Sequence, residues 1–192
     1  MSAVTQICQY VTDARQRSCR GYLLVAGLAL PGYDKYKDHE AVLHLGRIQA
    51  SFTTMVPKDK IIYALACVPG LQEVVDYVCK EIGASISNLH TLHFLVQANP
   101  LAVFSWHDDA YDLKMSRRMV TVVVSLNDVH SCMEVWGFLP AWFNGAGTAH
   151  AFPGGARHRS VKTSFTSESN VDIRASVVLR TCPLKLALFF NP

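Results

Sequence analysis

His107, Asp108 and Asp109 are the residues of this chain whose types and spacing point most directly to chemistry. In an extended stretch over residues 106–110 successive side chains alternate between faces, so His107 and Asp109 share one face and Asp108 points away. An imidazole and a carboxylate on one face are two ligands for a divalent transition metal. A second histidine brought alongside completes a two-histidine, one-carboxylate set, which leaves about three positions of an octahedral ion open to other molecules. An isolated His-x-Asp also fits a surface pair, or a histidine steadied by its neighbour, so more distant residues must decide.

Three histidines compete for the remaining position. His158 lies in Phe152-Pro-Gly-Gly-Ala-Arg-His-Arg-Ser-Val161, where a glycine turn lets the chain reverse just before the strand that carries the imidazole. His150 is the rival, and His130, close to a turn at Asn127-Asp128, is a weaker one. The segment that follows favours His158, because Arg174 and Ser176 share one face of a strand with Ile173, Val177, Val178 and Leu179 around them. A guanidinium in such apolar surroundings needs an anionic partner to offset its desolvation. Its planar fork matches a carboxylate, and the serine hydroxyl can donate to the same group. A salt bridge to an internal Asp or Glu would satisfy the arginine as well. His39, His44, His90 and His93 read as structural.

Taken together, His-x-Asp at 107–109, His158 and Arg-x-Ser at 174–176 resemble the Fe(II)- and 2-oxoglutarate-dependent dioxygenase superfamily over about residues 88–182. The resemblance implies that His107, Asp109 and His158 hold Fe(II) and carry the catalysis, while Arg174 and Ser176 bind the far carboxylate of 2-oxoglutarate. O2 is the other co-substrate, with ascorbate a possible reductant or co-substrate. The implied reaction couples decarboxylation of 2-oxoglutarate to succinate with hydroxylation of a C–H bond. Within the superfamily the motif spacing is most similar to the TET/JBP branch, which oxidises methyl groups of 5-methylcytosine or thymine in DNA. The cysteine-rich zinc-binding region of animal members is missing here.

That likeness makes a methylated base in DNA the first expected substrate, DNA an expected partner, and the nucleus the expected location within the cell. A protein side chain or a small metabolite is the alternative substrate, and a non-catalytic cupin-like metal- or ligand-binding module is the alternative to an enzyme. Trp106, Tyr111 and Asp112 flank the first motif and are candidate substrate contacts. Trp136, Trp142 and Phe143 add flat surfaces of the kind a flipped base stacks on. Replacing His107 or Asp109 by Ala is expected to abolish metal binding with little loss of folding, whereas Arg174→Ala should spare the metal and weaken the co-substrate.

These residues need a scaffold, and 192 residues with a half-hydrophobic composition suffice for one globular domain with a substantial core. Residues 1–87 read as a helix-rich supporting part and residues 88–192 as the core that carries the metal site. Val4, Ile7, Cys8 and Val11 have helical spacing within residues 2–18, as do Leu71, Val74, Val75, Val78, Cys79 and Ile82 within 71–82. Pro69-Gly70 starts that second helix and Gly83 stops it. Residues 23–30 and about 45–55 read as strands.

From residue 88 onward, short β-branched and aromatic segments are separated by Asn-Pro, Asn-Asp and Pro-Gly-Gly turns. They cover residues 92–97, 103–107, 119–126, 133–138, 149–152, 158–163 and 174–180. The pattern predicts an α+β domain whose double-stranded β-helix, or jelly-roll, core has the N-terminal helices packed on one outer face. Residues 140–148 read as a loop beside the site or a strand connection.

No apolar run reaches the roughly 20 residues a membrane-crossing helix needs, so no membrane partner is expected. The six cysteines are dispersed without a Cys-x-x-Cys pair, which points to reduced thiols inside the cell. A net charge of +3 makes the chain no polycation, although Arg117-Arg118 and the cluster from Arg157 to Lys162 could form a local basic surface. Sequence sets no oligomeric state.

Overall fold

The computed structural model describes residues 1–16, 22–25, 28–33, 51–56, 58–97, 106–109, 119–128, 131–161 and 174–182. Among the described residues three α-helices, α1 (Ala3–Gln16), α2 (Ile61–Cys67) and α3 (Leu71–Glu81), accompany ten strands. The strands are β1 (Tyr22–Val25), β2 (Leu28–Tyr33), β3 (Ser51–Val56), β4 (Leu89–Gln97), β5 (Val120–Ser125), β6 (Ser131–Val135), β7 (Ala141–Phe143), β8 (Ala149–Pro153), β9 (His158–Val161) and β10 (Arg174–Thr181). They form a seven-stranded sheet in the order β1-β2-β3-β4-β10-β5-β8 and a three-stranded sheet in the order β7-β6-β9. All these pairings are antiparallel.

The large sheet is buried on both faces. Its outer face, with Leu92, Phe94, Val120, Val122, Val124, Ala175, Val177 and Leu179, packs on Ile7 and Val11 of α1 and Leu71, Val75 and Val78 of α3. Each of the Val, Leu, Ile and Phe side chains, fully removed from water, contributes about 1.5–3 kcal/mol of burial. The inner face presents Val123, Val178 and Phe152 to Met133, Val135 and Phe143 of the small sheet. Because β5 is buried on both sides, its sequence VTVVVS has no solvent-facing polar row, and its two polar residues, Thr121 and Ser125, are buried on the inner face. This is the expected α+β double-stranded β-helix with helices on one outer face.

The helix signals act as expected at α3. Gly70 takes φ 77° just before the helix and lies against the backbone of α1, where an added Cβ would meet the Ala3 carbonyl oxygen at 2.5 Å. At the other end, Gly83 at φ 64° donates to the Lys80 carbonyl (3.2 Å) and Ala84 to that of Cys79 (2.8 Å), a left-handed stop that satisfies the final carbonyls.

The N-terminal part departs from the sequence reading. Residues 23–30 form no single strand: β1 and β2 make a hairpin, with Tyr22 opposite Pro31 and Val25 opposite Leu28. An unbroken apolar run gave no polar residue to mark its reversal. Of the strand read over 45–55, Ser51–Val56 is β3, while 45–50 lie outside the described residues. Strand β3 pairs directly with β4, so the large sheet draws three of its strands from the supporting part. Helix α2 and strand β7 stand where no element was expected.

Candidate metal centre

The small sheet sets the two histidines face to face. His158 enters β9 opposite Val135 of β6 and therefore points inward with it. On its other side, His107 forms an antiparallel bridge to His158, with His107 N donating to His158 O at 3.0 Å and His158 N to His107 O at 2.8 Å. Directly opposed residues share a face, and the two imidazole centroids are 4.2 Å apart.

The turn before His158 positions this ring twice over. Gly154 donates to the Met119 carbonyl at 2.8 Å and accepts from Asp109 N at 3.3 Å, which fastens the segment that carries His107 and Asp109 to the start of β5. An added Cβ on Gly154 would come within 3.1 Å of Met119 Cβ, so the close approach suits glycine. Two residues on, the Ala156 carbonyl accepts from His158 Nδ1 at 3.0 Å. A carbonyl only accepts, so Nδ1 carries a proton, and Nε2 is the ring nitrogen that can offer a lone pair to a metal.

Asp109 completes the cluster. One ligand atom from each of His107, Asp109 and His158 lies within 4.8 Å of the others. Asp109 is buried, and its two oxygens have different neighbours. Oδ2 accepts from Thr121 Oγ1 at 3.2 Å and stands 3.6 Å from His158 Nε2. Oδ1 accepts from Arg180 Nη2 in an ion pair whose side chains are each 4% exposed. Arg180 Nη1 donates to His93 Nε2 at 3.3 Å, so that nitrogen is the acceptor of its ring.

Asp108 is exposed, as strand alternation requires. His150 stands apart from the triad, with Nε2 donating to the Trp142 carbonyl at 2.7 Å and its ring edge-on to Phe143. His39, His44, His130, Tyr111, Asp112 and Arg117-Arg118 lie outside the described residues, as does the side chain of Arg174. Arg174 opens β10 opposite Gln97, two positions before Ser176. Ser176 is fully buried, and its hydroxyl has no hydrogen-bond partner among the described residues.

Trp106 does not face the triad. Its ring lies 4.9 Å below the Arg159 guanidinium and 5.7 Å from Trp136, on the outer face where Arg159 pairs with Glu134. Trp136 and Trp142 are exposed and Phe143 is buried in the inner core. The basic cluster divides likewise: Arg157 is exposed, and Arg159 is engaged by Glu134.

Sequence reasoning missed Arg180, Thr121 and His93. One signal was present, since Arg180 has the same strand parity as Arg174 and Ser176 and follows Val177-Val178-Leu179.

The whole-chain architecture has counterparts among solved structures. AviO1 from Streptomyces viridochromogenes Tue57 aligns over 99% of this chain and 87% of its own, with TM-score 0.56 and 11% identity. A prolyl hydroxylase from Trichoplax adhaerens, solved with a hypoxia inducible factor oxygen degradation domain peptide fragment, aligns over 94% and 78%, with TM-score 0.54 and 13% identity. The fold is shared. A partial likeness to DMSP lyase DddQ from Ruegeria pomeroyi DSS-3, at TM-score 0.36 and 16% identity, covers 54% of this chain and spans 43% of that one. No protein-family model and no curated protein matches the sequence.

Proposed function

We propose that this chain is an Fe(II)- and 2-oxoglutarate-dependent oxygenase that hydroxylates a C–H bond. The observation that carries the reading is the convergence of His107, Asp109 and His158 on a buried face of a double-stranded β-helix. Two neutral nitrogens and one carboxylate oxygen fit Fe(II) and leave about three positions open. Ser176 tests the fit of an acidic co-substrate independently. A fully buried hydroxyl without a partner is costly, and a carboxylate delivered to it, with Arg174 two positions earlier, would satisfy it.

When bound, Fe(II) with 2-oxoglutarate and O2 supplies the oxidising power for C–H hydroxylation. The chain's own residues bind and orient. His158 presents Nε2 because Ala156 holds the Nδ1 proton. Asp109 presents Oδ2 because Thr121 and Arg180 fix its plane. Ser176 donates its hydroxyl to the far end of the co-substrate, and Phe152, 4.7 Å from the His158 ring, keeps that side of the site apolar.

Our first-choice substrate is a methylated base in DNA, a choice supported by the TET/JBP-like spacing of the Arg-x-Ser motif. Incubation of the Fe(II)-loaded protein with 2-oxoglutarate and methylated or unmethylated duplexes, followed by nucleoside mass spectrometry, tests it. Hydroxymethylated nucleosides are expected. Their absence, with hydroxylated peptide side chains or metabolites instead, would move the substrate to the alternative suggested by the peptide complex of the prolyl hydroxylase neighbour. For the co-substrate, Mn(II)-dependent binding of 2-oxoglutarate should be lost in His158→Ala and weakened in Ser176→Ala. A cupin-like binding module would hold metal and show no such dependence.

A further inference from the structure

We propose that Arg180 is a positioning residue that makes Asp109 a single-oxygen ligand and thereby keeps a third metal position open. The inference rests on the metal-binding reading above and gives a role to a residue outside the triad. Arg180 is 3% exposed and lies on β10 opposite Thr91 of β4 and Thr121 of β5. Its guanidinium is anchored at two points, with Nη2 donating to Asp109 Oδ1 and Nη1 to His93 Nε2.

A carboxylate can chelate a cation with both oxygens or bind it with one. Here the guanidinium occupies Oδ1, and Oδ2 is left toward His158 Nε2, steadied by the Thr121 hydroxyl. A chelating Asp109 together with two imidazoles would fill about four positions of an octahedral ion and leave two. With one oxygen withheld, about three remain. Three is the number required by a keto acid that binds through two atoms and one further small molecule. Buried charge compensation alone would also place an arginine beside Asp109, but it would have no effect on how many positions a bound metal leaves open.

The test counts those positions in the folded 192-residue chain loaded with Mn(II) alone. Broadening of the Mn(II) electron paramagnetic resonance lines in 17O-enriched water reports the number of coordinated waters. His158→Ala serves as the control for binding at this site. Wild type is expected to hold one more water than Arg180→Gln; equal counts in the two would overturn the proposal. Should Arg180→Gln fail to fold, the wild type decides by infrared spectroscopy with 13C-labelled aspartate. A wide separation of the antisymmetric and symmetric carboxylate stretches is expected for single-oxygen binding, and a narrow one would overturn it. If wild type and His158→Ala bind Mn(II) alike, the metal-centre reading fails and the proposal fails with it. A wild-type-specific signal with unchanged water count defeats the proposal alone.

Discussion

Asp109→Ala should destabilise the metal-free protein far more than a surface ligand residue would, contrary to the expectation from sequence that either ligand could be removed with little loss of folding. The difference is Arg180. Its charge sits in a site where both side chains of the pair are only 4% exposed, so solvent screens the interaction little. Removing one partner of a buried ion pair costs about 3–5 kcal/mol, because the other is left uncompensated. For a domain of this size each kcal/mol shifts the melting temperature by about 2–4 °C, which gives a fall of about 6–20 °C. His107 is half-buried and neutral in its ligand form, so His107→Ala should cost about 1 kcal/mol, or about 2–4 °C. Replacing both members of the pair, in Asp109→Leu with Arg180→Met, should recover part of the loss, since no lone charge remains. Melting followed by circular dichroism with a chelator present reads all of these without involving a metal. An Asp109→Ala protein that melts within about 2 °C of wild type, or a double variant less stable than the single one, would refute the reasoning.

Two further outcomes follow from the packing. Gly70→Ala should lower the melting temperature more than Gly83→Ala: both positions have positive φ, but only at Gly70 does the added Cβ collide with backbone, while Gly83 has nothing within 4 Å. Chemical denaturation of the two variants checks this, and equal losses would mean that the α1–α3 contact yields without cost. Cys67 should be alkylated by iodoacetamide well before Cys79, because Cys67 is exposed while burial, with Asp76 adding to it, pushes the Cys79 thiol up. Peptide mass spectrometry of briefly treated native protein orders the two, and a faster Cys79 would contradict the placement of α3 against the sheet.

Much of the candidate site was legible because the residues brought together in it obey local rules. Strand alternation separated Asp109 from Asp108, and the Pro-Gly-Gly turn marked the strand of His158, whose ring that same turn holds through Ala156. Alternation also carried a message about Trp106 that was not used: a residue next to His107 lies on the opposite face, and there Trp106 covers Arg159. The partners of Asp109 were illegible for a different reason. Thr121, His93 and Arg180 come from three strands, and only the register of β10 against β4 and β5 brings them together. Local masking explains the missed elements. In α2 the buried Ile61, Ala64 and Leu65 have helical spacing, but exposed Ile62 and Tyr63 blur it. Strand β7 has only three residues, too few for a period to show. The β1–β2 hairpin is apolar through its turn.

The most direct test of the account is succinate formed from 2-oxoglutarate by the purified protein, measured with and without Fe(II) in the presence of methylated DNA and a panel of peptide and metabolite substrates. The account predicts Fe(II)-dependent succinate from wild type and none from His158→Ala, which loses the ligand without removing the partner of Arg180. A protein that holds iron through His107, Asp109 and His158, yet releases no succinate with any substrate, would contradict it.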